Sequence, residues 1–484
     1  MIPSGNQIRP SLSFLNRSQI EQIHNASVSL LQSVGNAVYH PQALDLCQAA
    51  GCSIKNNLVR VPEEIVEKAL ESVPKEFTLY SREGKPALQV RQGNVYYGTG
   101  PTNPFTLDLE TGIRRKTLVE DVEKGVRLAD ALSNIDFIMP PGSVSDVPSH
   151  LSDVHEFLAT VTNSTKPIVF LTWSKRNLKA ILEIAALYRD SRDDLIRKPF
   201  IVHFTDPISP LKHEEAAVEN LLYCAELGIP SVYYACSGMG GTSPMDISGS
   251  IIQINAEVLF GLVLSQLKNE GTPFIMGATA FPMHMRNLNF ITGAPEGLLS
   301  CLVHAELSRY YNLPCLGIGG LSDAKVADSQ AAVEGSMSTL LSSLAGCTLI
   351  SDSGQLESGL SASAELILLQ NDVIGYSKTI CRGIEQLNTE NMVDLIRETS
   401  SMSTYLATEH TVENFRKLWE PEIFDRNNCQ EWEKNGSEDI SKKSRRKIGL
   451  ILDETVKLDN SRRIQEGIGR IMAGLYEKNA PGTK

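Results

Sequence analysis

Three aromatic side chains, Tyr97, Trp173 and Tyr234, fall at the ends of short apolar runs in a chain whose aromatic content is only 6%. Aromatic faces attract a cation that has no N–H to donate, so three together would suit a quaternary ammonium group. Each is equally able to be an ordinary packing residue. Asn103, His203, Asp206, Thr279, Asp323, Asp352 and Glu357 fall at the same kind of position. Of these, Asn103, His203, Asp323 and Glu357 join the aromatics as candidate substrate contacts, with His203 and backbone N–H groups for a substrate carboxylate. No acid, base or nucleophile stands in a catalytic pattern, and no metal-ligand spacing is present. His284 in "FPMHMRN" and the pair Cys47 and Cys52 in "LCQAAGC" read as loop and helix-packing residues.

These positions matter because of the elements that hold them. From Asn94 the chain alternates short apolar strands with amphipathic helices, and eight strands can be counted: "NVYYGTG", "IDFIMPPG", "PIVFLTW", "FIVHFTD", "PSVYYACSG", "PFIMGAT", "PCLGIGG" and "CTLISDSG". Eight strands each followed by a helix are the repeat of a (β/α)8 TIM barrel, whose chemistry sits at the C-terminal strand ends. An open doubly wound sheet is the competing architecture. However, "GIGG" lacks the third glycine of a dinucleotide-binding turn, since Ser322 occupies that place. The barrel is expected over 91–380, after a mostly helical N-terminal segment over 1–90 and before a helical C-terminal extension over 381–484. In the N-terminal segment Ser18 is the expected cap of the first helix and Gly35 its stop. A charged stretch over 433–447 reads as a linker to a last amphipathic helix.

The bulk properties exclude several classes. A formal net charge of −12 opposes general nucleic-acid binding, which needs clustered Lys and Arg. Nine scattered cysteines, mostly in apolar runs, suit a reducing cytoplasm better than a disulfide framework. No signal peptide is visible, and no run is expected to reach the roughly 18 apolar residues of a membrane span.

Glycines also gather at three strand ends, "GTGPTNP", "CSGMGGTSP" and "GIGGLSD". Tight turns explain any one of them. Three on one rim suggest a wide, flat partner pressed against the mouth, facing Gly238, Gly240, Gly319, Gly320 and Leu321.

The chain resembles the trimethylamine methyltransferase family, in particular members without pyrrolysine. The resemblance is carried by "IHNASVSLLQSVGNAV", "GTGPTNPFTLDLETGIRRKT", "YYACSGMGGTSPM", "GIGGLSDAKVADSQAAVEG" and "YLATEHTVENFRKLWEPEIFDR". It implies a barrel that moves a methyl group from an amine to the cob(I)alamin of a separate, cognate corrinoid protein. The corrinoid would then be a co-substrate and not a cofactor bound tightly here. Every position is a standard residue, and the place of pyrrolysine is expected near Leu321. A neutral amine needs activation to leave, whereas a quaternary ammonium departs as a neutral amine, so a betaine-type quaternary amine is the expected substrate. Two other readings stay open: a metal-dependent barrel hydrolase using His203, Asp206 and Asp352, and a non-catalytic betaine-binding barrel. A homo-oligomer is expected for a barrel with an appended helical region.

Overall fold

The computed structural model describes residues 11–384, 389–400, 404–455, 458 and 461–477. All eight expected strands form. They are β1 (Tyr96–Thr99), β2 (residues 137–138), β3 (Ile168–Leu171), β4 (Ile201–Thr205), β5 (Ser231–Met239), β6 (Phe274–Pro282), β7 (Cys315–Ile318) and β8 (Leu349–Ser353). Seven pair in one parallel sheet, in the order β1-β8-β7-β6-β5-β4-β3. The short β2 closes the ring through single parallel bridges, Gly98 with Phe137 on β1 and Ile138 with Ile168 on β3. Closure rules out the open doubly wound sheet. Strands in such a ring are buried on both faces, by the lumen and by the helices, which is why they read as continuous apolar runs.

Each strand is followed by a helix: α1 (Val119–Ala131), α2 (Ser152–Val161), α3 (Lys175–Ala186), α4 (Glu215–Leu227), α5 (Ile247–Lys268), α6 (Pro295–Tyr310), α7 (Ser329–Ala345) and α8 (Ala364–Arg382). Helix α5 departs from expectation, being long and apolar enough to cross a membrane. Within the fold 78% of its apolar window is buried. The N-terminal helices Arg17–Ser33, Pro41–Ala50 and Glu63–Ser72 pack over it, so it has no solvent face to be polar on.

Those three helices were legible, and Gly35 ends the first one at φ +85°. Its cap is Asn16 and not Ser18: Asn16 accepts from the Gln19 backbone while the Gln19 side chain accepts from the Asn16 N–H, a reciprocal capping box. A small sheet between the helices was not foreseen. Strands Ser53–Lys55 and Leu58–Arg60 turn at Asn56 and Asn57, both in the left-handed region that a two-residue hairpin needs. A second unforeseen sheet stands beside the barrel mouth, where Phe105–Leu107 and Arg114–Lys116 join Ser361–Ala362 and Gln355–Leu356.

The C-terminal helices pack outside the barrel. Ile440–Glu454 lies against α8 and α1, and Arg462–Glu477 against α3. Part of the expected linker is therefore helix: Asp439 caps Ile440–Glu454 by accepting from the Lys442 N–H at 2.8 Å.

Candidate active site

Side chains alternate across a strand, so the contacts of one residue assign the rest. On β4, the His203 ring stands edge-on to Phe170 at 5.5 Å, and Phe170 meets Phe157 of α2 at 5.4 Å. Thr205 donates to the Ala217 carbonyl of α4. These residues face the helical layer, so Val202 and Phe204 face the lumen and Asp206 follows on their side. Strand register carries the inward face around the ring, from Leu171 to Phe204 and Val232, from Tyr234 to Gly277, and from Cys236 to Thr279.

Two expected substrate contacts are thereby corrected. His203 is fully buried outside the lumen, neither ring nitrogen has a partner, and burial lowers its pKa to about 3. It is a neutral packing residue, unable to meet a substrate carboxylate. Tyr97 also points outward: its hydroxyl pairs with Ser343 Oγ of α7 at 2.8 Å, and Lys378 of α8 lies over its ring at 5.2 Å. The metal-hydrolase arrangement fails on the same geometry. His203 and Asp206 are three residues apart on an extended chain and cannot share a face, and among the described residues no three His, Cys, Asp or Glu are placed to hold a metal ion.

The lumen has its own aromatic wall. Phe204, which sequence reasoning passed over, stacks on Tyr234 with centroids 5.6 Å apart and planes at 27°. The Tyr234 hydroxyl shares a 2.6 Å hydrogen bond with Thr279 Oγ1. Gly277 makes room for the Tyr234 ring, since a Cβ there would lie 2.3 Å from it. Trp173, two residues beyond Leu171 on the inward side, is 61% exposed at the mouth. Its backbone N–H donates to Asp153, which also accepts from Thr172 Oγ1 at 2.6 Å and Asn177 Nδ2 at 2.8 Å. The indole is thus carried on a braced strand end.

Two carboxyls complete the bowl. Asp206 is open to solvent yet ringed by protein, and desolvation raises its pKa to about 6. Asp352 follows a register irregularity in β8 and sits at φ +82°, a bulge of the kind that re-aims a side chain. Burial pushes it up to about 7, against one opposing hydrogen bond from Ser351 Oγ at 3.0 Å. Half-buried Cys236 senses both: burial first, then Asp206, Asp352 and Glu257, push its thiol up to about 12.

Other rim residues are committed to structure. Asp323 accepts from the Thr292 N–H at 2.9 Å, Thr292 Oγ1 at 2.8 Å, the Gly293 N–H at 3.0 Å and Ser358 Oγ at 2.7 Å. It clamps three mouth loops together, while Asp328 caps α7. Glu357 pairs with Arg114 Nε at 2.6 Å and accepts from Ser361 Oγ at 2.6 Å. Asn103 is buried, its amide donating to the Pro141 carbonyl at 3.2 Å while its Oδ1 has no partner. Most of the rim glycines clear no space for a flat ligand. A Cβ at Gly238 would meet Phe290 and Met283, at Gly319 Ile350 and Thr339, and at Gly320 Ser353 and Gln370. They exist for the chain's own close packing. Gly240 differs, being exposed at φ +85° beside Met245, and Leu321 is buried at the end of β7.

A family model described as trimethylamine methyltransferase (MTTB) matches residues 2–468. The chain belongs to that family. It is 30% identical over 449 residues to the trimethylamine methyltransferase MttB of Methanosarcina thermophila, covering 91% of this chain and 93% of that one. It is 28% identical over 433 residues to the glycine betaine methyltransferase of Desulfitobacterium hafniense (strain Y51), covering 88% and 90%. Among solved structures, the monomethylamine methyltransferase MtmB of Methanosarcina barkeri superposes with a TM-score of 0.51 at 11% identity, covering 97% of this chain and 89% of that one. That likeness speaks to the fold alone.

Proposed function

We propose that this family member takes a methyl group from a quaternary ammonium compound and passes it to the cob(I)alamin of a separate corrinoid protein. The observation that carries the reading is the composition of the bowl: aromatic faces from Trp173, Phe204 and Tyr234 beside two carboxyls, Asp206 and Asp352, that form no ion pair among the described residues. Such a lining suits a permanent cation that offers no N–H. Entry of the cation favours the ionised form of both acids, which stabilises them where desolvation otherwise opposes charge.

The reduced corrinoid, where bound by its own protein, supplies the nucleophile that accepts the methyl group. This chain's part is to hold the ammonium with one methyl directed out of the mouth and to exclude water behind it. No proton has to be delivered, because the amine leaves neutral. The absence of pyrrolysine fits a substrate that arrives already charged. Around the mouth Trp173, Ile208, Met245, Met285 and Leu288 are all at least half exposed. This is an apolar fringe suited to docking a partner face-on, and the glycines are not needed for it.

The test mixes the protein with a cognate corrinoid protein, reduced cobalt and a panel of quaternary amines, and follows the cobalt absorbance. Methylation by at least one member is expected. No spectral change with any of them, under conditions where a known family member works, would remove the proposal. Binding without transfer would leave the non-catalytic barrel standing.

A further inference from the structure

The inward-facing positions of the upper barrel carry a one-sided charge. Register and alternation bring Leu171, Phe204, Tyr234, Cys236, Thr279 and Ile318 to the lumen, all neutral. Asp206 and Asp352 add two acids, and Glu257 of α5 stands close enough for its charge to reach Cys236 as well. Glu257 is engaged by Ser209 Oγ at 2.7 Å, the Leu211 N–H at 2.8 Å and Gln253 Nε2 at 3.0 Å. Among the described residues, neither Asp206 nor Asp352 forms an ion pair.

Three basic residues of the mouth loops are engaged elsewhere, and Lys212, on the loop after β4, is exposed. Lys175 pairs with Glu219 at 3.1 Å, Arg114 with Glu357, and Lys325 donates to the Asp323 carbonyl at 2.6 Å. Arg286 lies on the exposed loop after β6, next to Met285 of the mouth fringe. The histidine that sequence reasoning set against a substrate carboxylate faces the helices. A zwitterion in this bowl would therefore bring its acid group beside two carboxyls with no counter-charge, the arrangement that proteins use to reject a ligand.

Resting on the ammonium reading above, we propose that the site selects a methylated ammonium bearing no carboxylate, and that Asp206 and Asp352 turn betaines away. Substrates of the matching class are tetraalkylammonium ions and ammonium alcohols. A cation alone gains from both acids. A betaine gains at one end what it loses at the other.

Calorimetry of the full chain without any corrinoid partner tests this, using tetramethylammonium, choline and glycine betaine at pH 8. The first two are expected to bind at least tenfold tighter than glycine betaine, with the gap narrowing at pH 5.5 as the two acids take up protons. In the Asp206→Asn/Asp352→Asn double variant the gap should close to within about threefold. If that variant does not fold, Asp206→Asn alone, at an open position, should narrow it. Glycine betaine binding as tightly as choline would overturn the selection while leaving the ammonium reading intact. So would a specific loss of glycine betaine affinity in Arg286→Ala, which would assign the acid group to that loop. Failure of all three compounds to bind would overturn the ammonium reading together with this one.

Discussion

Two sets of carboxyl groups share the barrel mouth, and they live in opposite conditions. Asp323 and Glu357 use their oxygens on backbone N–H groups, hydroxyls and a guanidinium, tying loops together. Asp206 and Asp352 stand on the bowl side with little or no partner, their proton affinities raised by desolvation. All four are acids near C-terminal strand ends, so residue type and position do not separate them. What separates them is whether the fold has already spent their hydrogen-bonding capacity. A satisfied carboxylate holds structure, whereas an unsatisfied desolvated one is available to a ligand.

The contrast can be broken from either side. The largest effect is expected at the clamp: Asp323→Ala strands two backbone N–H groups and frees three loops. It should cost about 3 kcal/mol of stability, read in denaturant melts. A melt indistinguishable from wild type would place Asp323 with the unpartnered acids.

Next comes Asp352→Asn, since Asn tolerates the left-handed backbone that Asp352 occupies. Ammonium affinity should drop about tenfold, or about 1.4 kcal/mol, when titrated at pH 8. Stability should move the other way. The folded Asp352 holds its proton more tightly than an unfolded aspartate, so the wild type loses stability as pH rises from about 4 toward about 7. The variant lacks that loss. Its melting temperature should overtake the wild type across this window and keep a constant lead above pH 8. The same titration makes wild-type ammonium affinity rise between pH 5.5 and 7.5 and then level off.

The smallest effects compare neighbours on β4. Phe204→Leu keeps apolar bulk but removes an aromatic face, which should weaken ammonium binding by about 1 kcal/mol, roughly fivefold. His203→Leu should leave binding unchanged and stability within about 1 kcal/mol, because it replaces two unpartnered buried nitrogens with apolar volume. Equal losses of affinity at both positions would mean that the strand faces are assigned wrongly.

Much of this architecture was legible in the chain. The eight apolar runs and their helices follow from local pattern, because hydrophobic period and turn residues act over a few positions. The strand-end places of Trp173 and Tyr234 follow for the same reason. Phe204 was missed although a signal existed: it lies two residues from Asp206 and so shares its face, while His203 does not. The absolute assignment of inside and outside still needed a contact, and the Phe170 ring against His203 provides it. The two four-stranded sheets outside the barrel were not legible, since their strands are two or three residues long and several pair with distant segments.

The sequence by itself determined the barrel repeat, the family and the candidate rim, because these depend on patterns that each segment carries alone. Only the tertiary structure decided which way each strand turns its side chains, which glycines are filled by the chain's own atoms and which acids are left without partners. Those are properties of pairs far apart in sequence. Asp323 becomes a clamp only when Thr292 and Ser358 reach it, whereas Asp352, at a bulge in β8, keeps only the neighbouring Ser351 hydroxyl as a partner.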